Sequence, residues 1–521
     1  MNNYITNIIR IFPVSIHQKK SIIIILLILI ISSAISIYSL IFFLLNKVFL
    51  IGSDAFYYMS IGDSILHNGE VRNITSIPAK AVKTPQNGAA FIHVILSILG
   101  IGARGRIISM VFINYLFYLS AIYPLYKIAF LSGLKRGLPL VALLAVYLGP
   151  WHIYRINLLA INDGIFNTLT LWLVYIIIKF IRDMDAIGSI SLNTFPIKKM
   201  VIMSLLVIVL ILFRLNAMLI MVSAVISALL VRNYKSIILL IVPCMFLLLV
   251  FLSIYFFVDV SGFESGVLPR FINMFWAVKV VNIKIQLWKI LPRLVAGLSG
   301  LTNPLATLFF TIFPLSMMYY GIHGIIEKNF HKVFIATICL TGLWFTMTFQ
   351  NARVIWYTFP FIYLILLNLK KIRFIGYAFI LLVFVQSLHQ FYTGFRKGPG
   401  SLFWLYIYEN SIALSQDDNL LVARSGRHPY FFLNTRTYDT TPGNNQIIIP
   451  KELNWDLIEN RGSIYIVGDS IYIASVSPQI YEMASTNSYE LQSKPLTPDL
   501  DEFEGWALVE LKLKKINKTD S

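Results

Sequence analysis

The chain has 521 residues, 57% of them hydrophobic and 13% charged, with a formal net charge of +18. A soluble domain carries roughly a quarter charged residues, so this composition excludes an ordinary cytosolic enzyme, and its apolar content excludes disorder. The charge is divided unevenly. Residues 1–395 hold 31 Lys and Arg against 9 Asp and Glu, a net +22, whereas 396–521 hold 12 against 16, a net −4. The expected fold class is an all-α polytopic membrane domain over 1–395, followed by a small soluble α/β domain over 396–521.

A spanning helix needs about 20 apolar residues. In chain order that ruler predicts 11 spans, at roughly 21–45, 107–131, 138–150, 160–181, 200–213, 216–231, 236–258, 296–322, 333–349, 354–368 and 374–392. The run 21–46 has no charge and is too long for a signal-peptide core, so it reads as an anchor. The basic clusters Lys19/Lys20, Lys135/Arg136, Arg182/Lys198/Lys199, Arg232/Lys235, Lys328/Lys332 and Lys370/Lys371/Arg373 all fall on one side under this count. The positive-inside rule makes that side the cytoplasm. The N-terminus is then inside a plasma (inner) membrane and the C-terminal domain outside it. The lysines and arginines form no continuous stripe, which excludes a nucleic-acid partner.

The apolar segment 88–102 is too short for a comfortable span, and is expected to lie at the outer membrane surface within one long external loop, 46–106. A second external stretch, about 259–292, mixes aromatic residues with lysines as an interfacial helix does. The sequence 396–400 (RKGPG) reads as a hinge. Beyond it, 463–473 (SIYIVGDSIYI) and 506–513 alternate as strands do. Cys244 and Cys339 lie in apolar runs and read as core residues.

Each of the nine carboxylates in 1–395 can be placed. Asp183, Asp185 and Glu327 fall in cytoplasmic loops, and Asp259 and Glu264 in the second external stretch, all with solvated roles. Asp54, Asp63 and Glu70 lie in the first external loop, and Asp163 at the external mouth of a span. A carboxylate at the hydrocarbon boundary is costly unless paired or hydrated. For one isolated Asp, helix capping is the ordinary role: Asp54 before a helix starting at Ala55, Asp163 before 164–181. Five arginines, Arg155, Arg214, Arg270, Arg293 and Arg353, share the external side with the two aspartates, against the positive-inside bias. For any single Arg, a structural pair or a snorkelling side chain is as good an account as function. Five of them, with few external acids to match, point to an added anion, and phosphate suits a guanidinium's paired donors.

The layout resembles the GT-C glycosyltransferases, in particular the branch with the protein O-mannosyltransferases and the aminoarabinose transferase of lipid A. The segment GSDAFYYMSIGDSIL is similar to the acidic-plus-aromatic start of that branch's first external loop, and places Asp54 with Tyr57 and Tyr58 there. Lys83-Thr84-Pro85 stands where the branch has a Lys-Pro-Pro-like turn. Tyr154-Arg155 through Asn162-Asp163 is similar to its Arg…Thr-Asp segment, and Phe213-Arg214-Leu215-Asn216 falls where it breaks a helix in two. The last domain has no WWD-type motif, which sets the chain apart from the oligosaccharyltransferase branch.

The resemblance implies inverting transfer of a sugar from a polyprenyl-phosphate carrier, such as undecaprenyl phosphate, with no nucleotide-sugar site. The acceptor would be a cell-surface glycan such as an O-antigen repeat, lipid A of lipopolysaccharide, or a protein. Asp54 is the expected general base and Asp163 the second or orienting acid. Tyr57, Tyr58, Lys83, Arg155, Arg214, Arg270, Arg293 and Arg353 are the expected substrate-binding residues. The partners are the lipid-linked donor, the acceptor and the bilayer. No cofactor is expected, and a divalent metal stays open. The alternatives are a transporter or flippase of lipid-linked glycans, or an O-antigen polymerase or ligase.

Overall fold

The computed structural model describes residues 16–47, 53–74, 76–77, 80–81, 88–134, 137–149, 162–186, 197–214, 217–233, scattered positions of 237–249, 303–349, 357–392, 401–412, 414, 420–423, 433, 437–438, 463–499, 503 and 505–516. In chain order its elements are α1 (Ile16–Leu45), α2 (Ser53–Asn68), β1 (Arg72–Asn73), β2 (Ser76–Ile77), β3 (Lys80–Ala81), α3 (Gly88–Ile98), α4 (Ala103–Ser120), α5 (Ile122–Leu131), α6 (Leu138–Tyr147), α7 (Asn162–Ala186), α8 (Ile197–Phe213) and α9 (Ala217–Leu230). There follow α10 (Asn303–Ile326), α11 (Phe330–Phe349), α12 (Phe359–Asn368), α13 (Arg373–Tyr392), α14 (Ser401–Glu409), β4 (Leu420–Ala423), β5 (Thr437–Tyr438), β6 (Ser463–Gly468), α15 (Ser470–Thr486), β7 (Tyr489–Pro495) and β8 (Ala507–Lys515).

Contacts divide the chain into two compact units, 1–45 with 111–258 and 267–393, and 46–110 with 259–266 and 394–521. The first unit is helical. Among the described residues, Ala103–Leu131 and Asn162–Asp185 are long and apolar enough to cross a membrane, so the structure carries two of the 11 predicted spans by that measure. Among the described residues the other apolar helical runs are 10–17 residues long. Helices in apolar surroundings associate through small residues and interhelical hydroxyls, and both devices recur. Ser223 and Ser227 of α9 meet Thr341 and Thr337 of α11 at 3.0 and 3.2 Å. At Gly324 of α10 a Cβ would stand 2.7 Å from the Lys332 Cβ and 3.0 Å from Val333, so only glycine lets α10 and α11 approach there.

The second unit is a mixed six-stranded sheet, ordered β2-β5-β4-β6-β8-β7, with α2, α3, α14 and α15. β2, β5, β4 and β6 run parallel, and β8 is antiparallel to both β6 and β7. The alternation in SIYIVG buries Ile464 and Ile466, and the four-residue spacing of Tyr472, Val476, Ile480 and Ala484 lays one face of α15 on them. Two corrections follow. Composition assigned 46–106 to the membrane domain, but its strand β2 pairs with β5, so this loop belongs to the same unit as the C-terminal residues. And 463–473 is not one strand: Asp469 caps a helix, its Oδ1 accepting from the Tyr472 N–H at 2.8 Å, so the chain turns helical at Ser470. The predicted hinge 396–400 and the second external stretch, about 259–292, lie outside the described residues.

Candidate functional site

In the helical unit, Asp163 stands in the first turn of α7 and Arg214 directly follows α8. The first turn exposes unpaired N–H groups and the positive end of the helix dipole, which favours a carboxylate there. Arg214 is fixed by its backbone: its N–H donates to the Leu210 carbonyl at 2.8 Å, and its carbonyl accepts from Ala217 at 3.2 Å. The break between α8 and α9 thereby turns the guanidinium onto Asp163, where Nη2 pairs with Oδ1. Asp163 is 3% exposed at its side chain and Arg214 17%. The pair is incomplete. Asp163 Oδ2 and Arg214 Nε are both buried and have no hydrogen-bond partner among the described residues. A buried donor or acceptor left unsatisfied costs about 1–3 kcal/mol, so this pair is built with room for a further polar group.

In the second unit, Asp54 occupies the first turn of α2 and is half-buried. The helix starts at Ser53 rather than Ala55, and α7 at Asn162 rather than 164. Neither aspartate is therefore at the cap position expected of it. Tyr57 and Tyr58, both half-buried, follow one turn later with their rings edge-to-face at 5.4 Å. Gly62 closes α2 on α3: a Cβ there would meet the Ala90 carbonyl at 2.9 Å and the His93 Cβ at 3.0 Å.

This unit holds a second buried ion pair that the sequence did not announce. Arg106 Nη1 donates to Asp63 Oδ1 at 2.6 Å, with side chains 8% and 11% exposed. Beside it, His93 is fully buried with neither ring nitrogen hydrogen-bonded among the described residues. Burial, and then the Arg106 charge, lower its pKa to about 3. The available signal was scarcity: with nine carboxylates in 395 residues, each buried one needs a cation, and GARGRII offers two arginines at a helix start.

Of the expected site residues, the structure brings together Asp163 and Arg214. Asp54, Tyr57 and Tyr58 share α2 in the other unit. Lys83, Arg155, Arg270, Arg293 and Arg353 lie outside the described residues. Among the described residues no three His, Cys, Asp or Glu side chains converge as a metal site would require.

No family model matches the chain, and no curated protein matches it. Solved structures do. The archaeal oligosaccharyltransferase AglB from Archaeoglobus fulgidus, in complex with an inhibitory peptide and a dolichol-phosphate, superposes with a TM-score of 0.50 and 11% identity, covering 95% of this chain and 74% of that one. The same oligosaccharyltransferase in complex with Zn and sulfate gives 0.50 and 14% identity, over 90% of this chain and 72% of that one. ArnT from Cupriavidus metallidurans bound to undecaprenyl phosphate gives 0.46 and 13%, over 92% and 97%. At these identities the likeness to the two oligosaccharyltransferase structures is one of fold.

Proposed function

We propose that this chain transfers a sugar from a polyprenyl-phosphate carrier to an acceptor hydroxyl at the outer face of the plasma membrane, with its N-terminus inside and the C-terminal unit outside. One observation carries the reading: the Asp163–Arg214 pair, at the head of apolar helices, has a buried carboxylate oxygen and a buried guanidinium N–H left over. The leftover carboxylate oxygen sets this pair apart from Asp63–Arg106, whose guanidinium Nε is also unpartnered among the described residues, because a buried acceptor costs about 1–3 kcal/mol unless a further group meets it. The likeness of fold supports the same reading.

The chemistry assigns each group a task. A lipid-linked donor stays in the bilayer, so its phosphate is met at the interface by Arg214, joined by Arg353, Arg155, Arg270, Arg293 and Lys83 as further cations. Asp54 takes the acceptor proton as the acceptor oxygen bonds to the anomeric carbon. The bond from that carbon to the phosphate oxygen breaks, with inversion, and the carrier leaves as polyprenyl phosphate. The charge gathering on the leaving phosphate is what the guanidinium stabilises. Asp163 orients Arg214. Tyr57 and Tyr58, one turn from Asp54, line the sugar.

The test is the surface glycan of host cells making the wild type, Asp54→Asn or Asp163→Asn at matched membrane levels, read by mass spectrometry. Asp54→Asn keeps the shape and removes the base, so turnover falls by about 10²–10⁴-fold and one sugar is missing from the product. Full product with Asp54→Asn and none with Asp163→Asn moves the base to Asp163.

A further inference from the structure

The helical unit contains a cavity of about 920 Å³ that the transfer reaction does not use. It lies where α5, α10 and α12 end and α11 and α13 begin, so helix C-termini surround it. Apolar side chains of α10 and α13 form its walls, among them Ile312, Leu315 and Ile375. Leu315 is 60% exposed. Its rim carries Lys332, Lys370 and Lys371 against one carboxylate, Glu327.

These charges are not equivalent. Lys332 Nζ donates to Glu327 Oε2 at 2.5 Å, and His323 Nδ1 lies 3.1 Å from Oε1. That ion pair is closed, and its hydrogen bond to Lys332 holds the Glu327 carboxyl below its ordinary pKa. Lys370 and Lys371 are exposed and have no ion-pair partner among the described residues. They are not needed to close α12 either, because Arg373 Nε donates to the Leu367 carbonyl at 2.7 Å. Two uncommitted cations therefore stand at the mouth of an apolar cleft larger than a phosphate group requires. The ends of α5, α10 and α12 present carbonyls there, so the exposed lysine side chains are the charged donors that an anion would meet.

We infer that this cleft binds an anionic phospholipid of the surrounding leaflet, its phosphate on Lys370 and Lys371 and its chain along Ile312, Leu315 and Ile375. Basic pockets between helices at the membrane surface take such head groups. The site is separate from the Asp163–Arg214 pair and does not depend on the transfer reaction.

Native mass spectrometry of the full chain in detergent, titrated with phosphatidylglycerol or phosphatidylcholine, tests this. The expected result is a retained phosphatidylglycerol adduct with weaker phosphatidylcholine binding. Lys370→Gln should weaken phosphatidylglycerol about fivefold, and Lys370→Gln with Lys371→Gln about thirtyfold. Lys198→Gln with Lys199→Gln, in a basic cluster elsewhere on the same unit, should leave it unchanged. Equal binding of the two lipids, or equal losses in both double variants, would overturn the site in favour of nonspecific charge. Displacement of the lipid by inorganic phosphate at comparable concentration would overturn the role of the apolar walls.

Discussion

Two aspartate–arginine pairs sit in this molecule under nearly the same burial, and they differ in what they leave over. Asp63–Arg106 in the second unit joins α2 to the start of α4 at 2.6 Å, next to a buried neutral histidine. Asp163–Arg214 in the helical unit joins the start of α7 to the break after α8, and keeps one carboxylate oxygen unpartnered. Sequence and burial alone do not distinguish them. Both pairs leave a guanidinium Nε buried and unpartnered among the described residues, so the leftover carboxylate oxygen of Asp163, and the apolar helices around it, separate a fastening from a site.

Removing one partner is the bluntest way to break the comparison. Arg106→Ala strands a buried carboxylate and should cost about 3–5 kcal/mol, seen as a lowered thermal midpoint or loss of the protein from the membrane. The neutral double variant Asp63→Asn with Arg106→Gln should recover most of that stability and leave product formation intact. If it folds but makes no product, that pair is not merely structural.

The same cycle on the other pair should end differently. Arg214→Gln with Asp163→Asn keeps the protein folded, but undecaprenyl phosphate binding falls by about 1.5–3 kcal/mol, roughly tenfold to a hundredfold, as a charge-assisted hydrogen bond is lost. Calorimetry or a quantitative pull-down with that lipid reads the difference. Unchanged binding would reduce Asp163–Arg214 to a second fastening.

Acid sharpens the contrast, because the second unit holds a fully buried histidine, His93. His93 has a folded pKa of about 3 against 6.5 when exposed, so between those values the unfolded chain binds more protons. Stability is therefore complete above 6.5 and is lost as pH falls below it, by about 2 kcal/mol at pH 5. His93→Leu should remove that slope in a melting series from pH 7 to pH 5. The smallest effect lies in the helical unit, where Ser227→Ala deletes the hydroxyl facing Thr337 and should cost about 0.6 kcal/mol.

The long apolar runs were legible in the sequence. The predicted span at 160–181 falls on α7, which is long and apolar enough to cross a membrane, and the apolar run 216–231 is the helix α9 to within a residue at each end. The shared side of Asp163 and Arg214 also followed from counting basic clusters. The two-residue strands β2 and β5 were not legible, since no period exists over two residues, and with them went the attachment of the first loop to the C-terminal sheet. The turn from β6 into α15 hid behind aromatic and β-branched residues on both sides of Gly-Asp-Ser, until the Asp469 cap decided it. Arg106 was not singled out in the sequence, because its partner lies 43 residues away.

The most direct test of the central claim uses the purified full-length wild type in a lipid bilayer, supplied with lipid-linked sugars extracted from the host and with the host's glycan acceptors. The account predicts that free polyprenyl phosphate and a new glycosidic bond appear together in equal amounts, and that Asp54→Asn yields neither above about one hundredth of the wild-type rate. Movement of the lipid-linked sugar across the bilayer with no glycosidic bond formed would contradict it, and would make the chain a transporter.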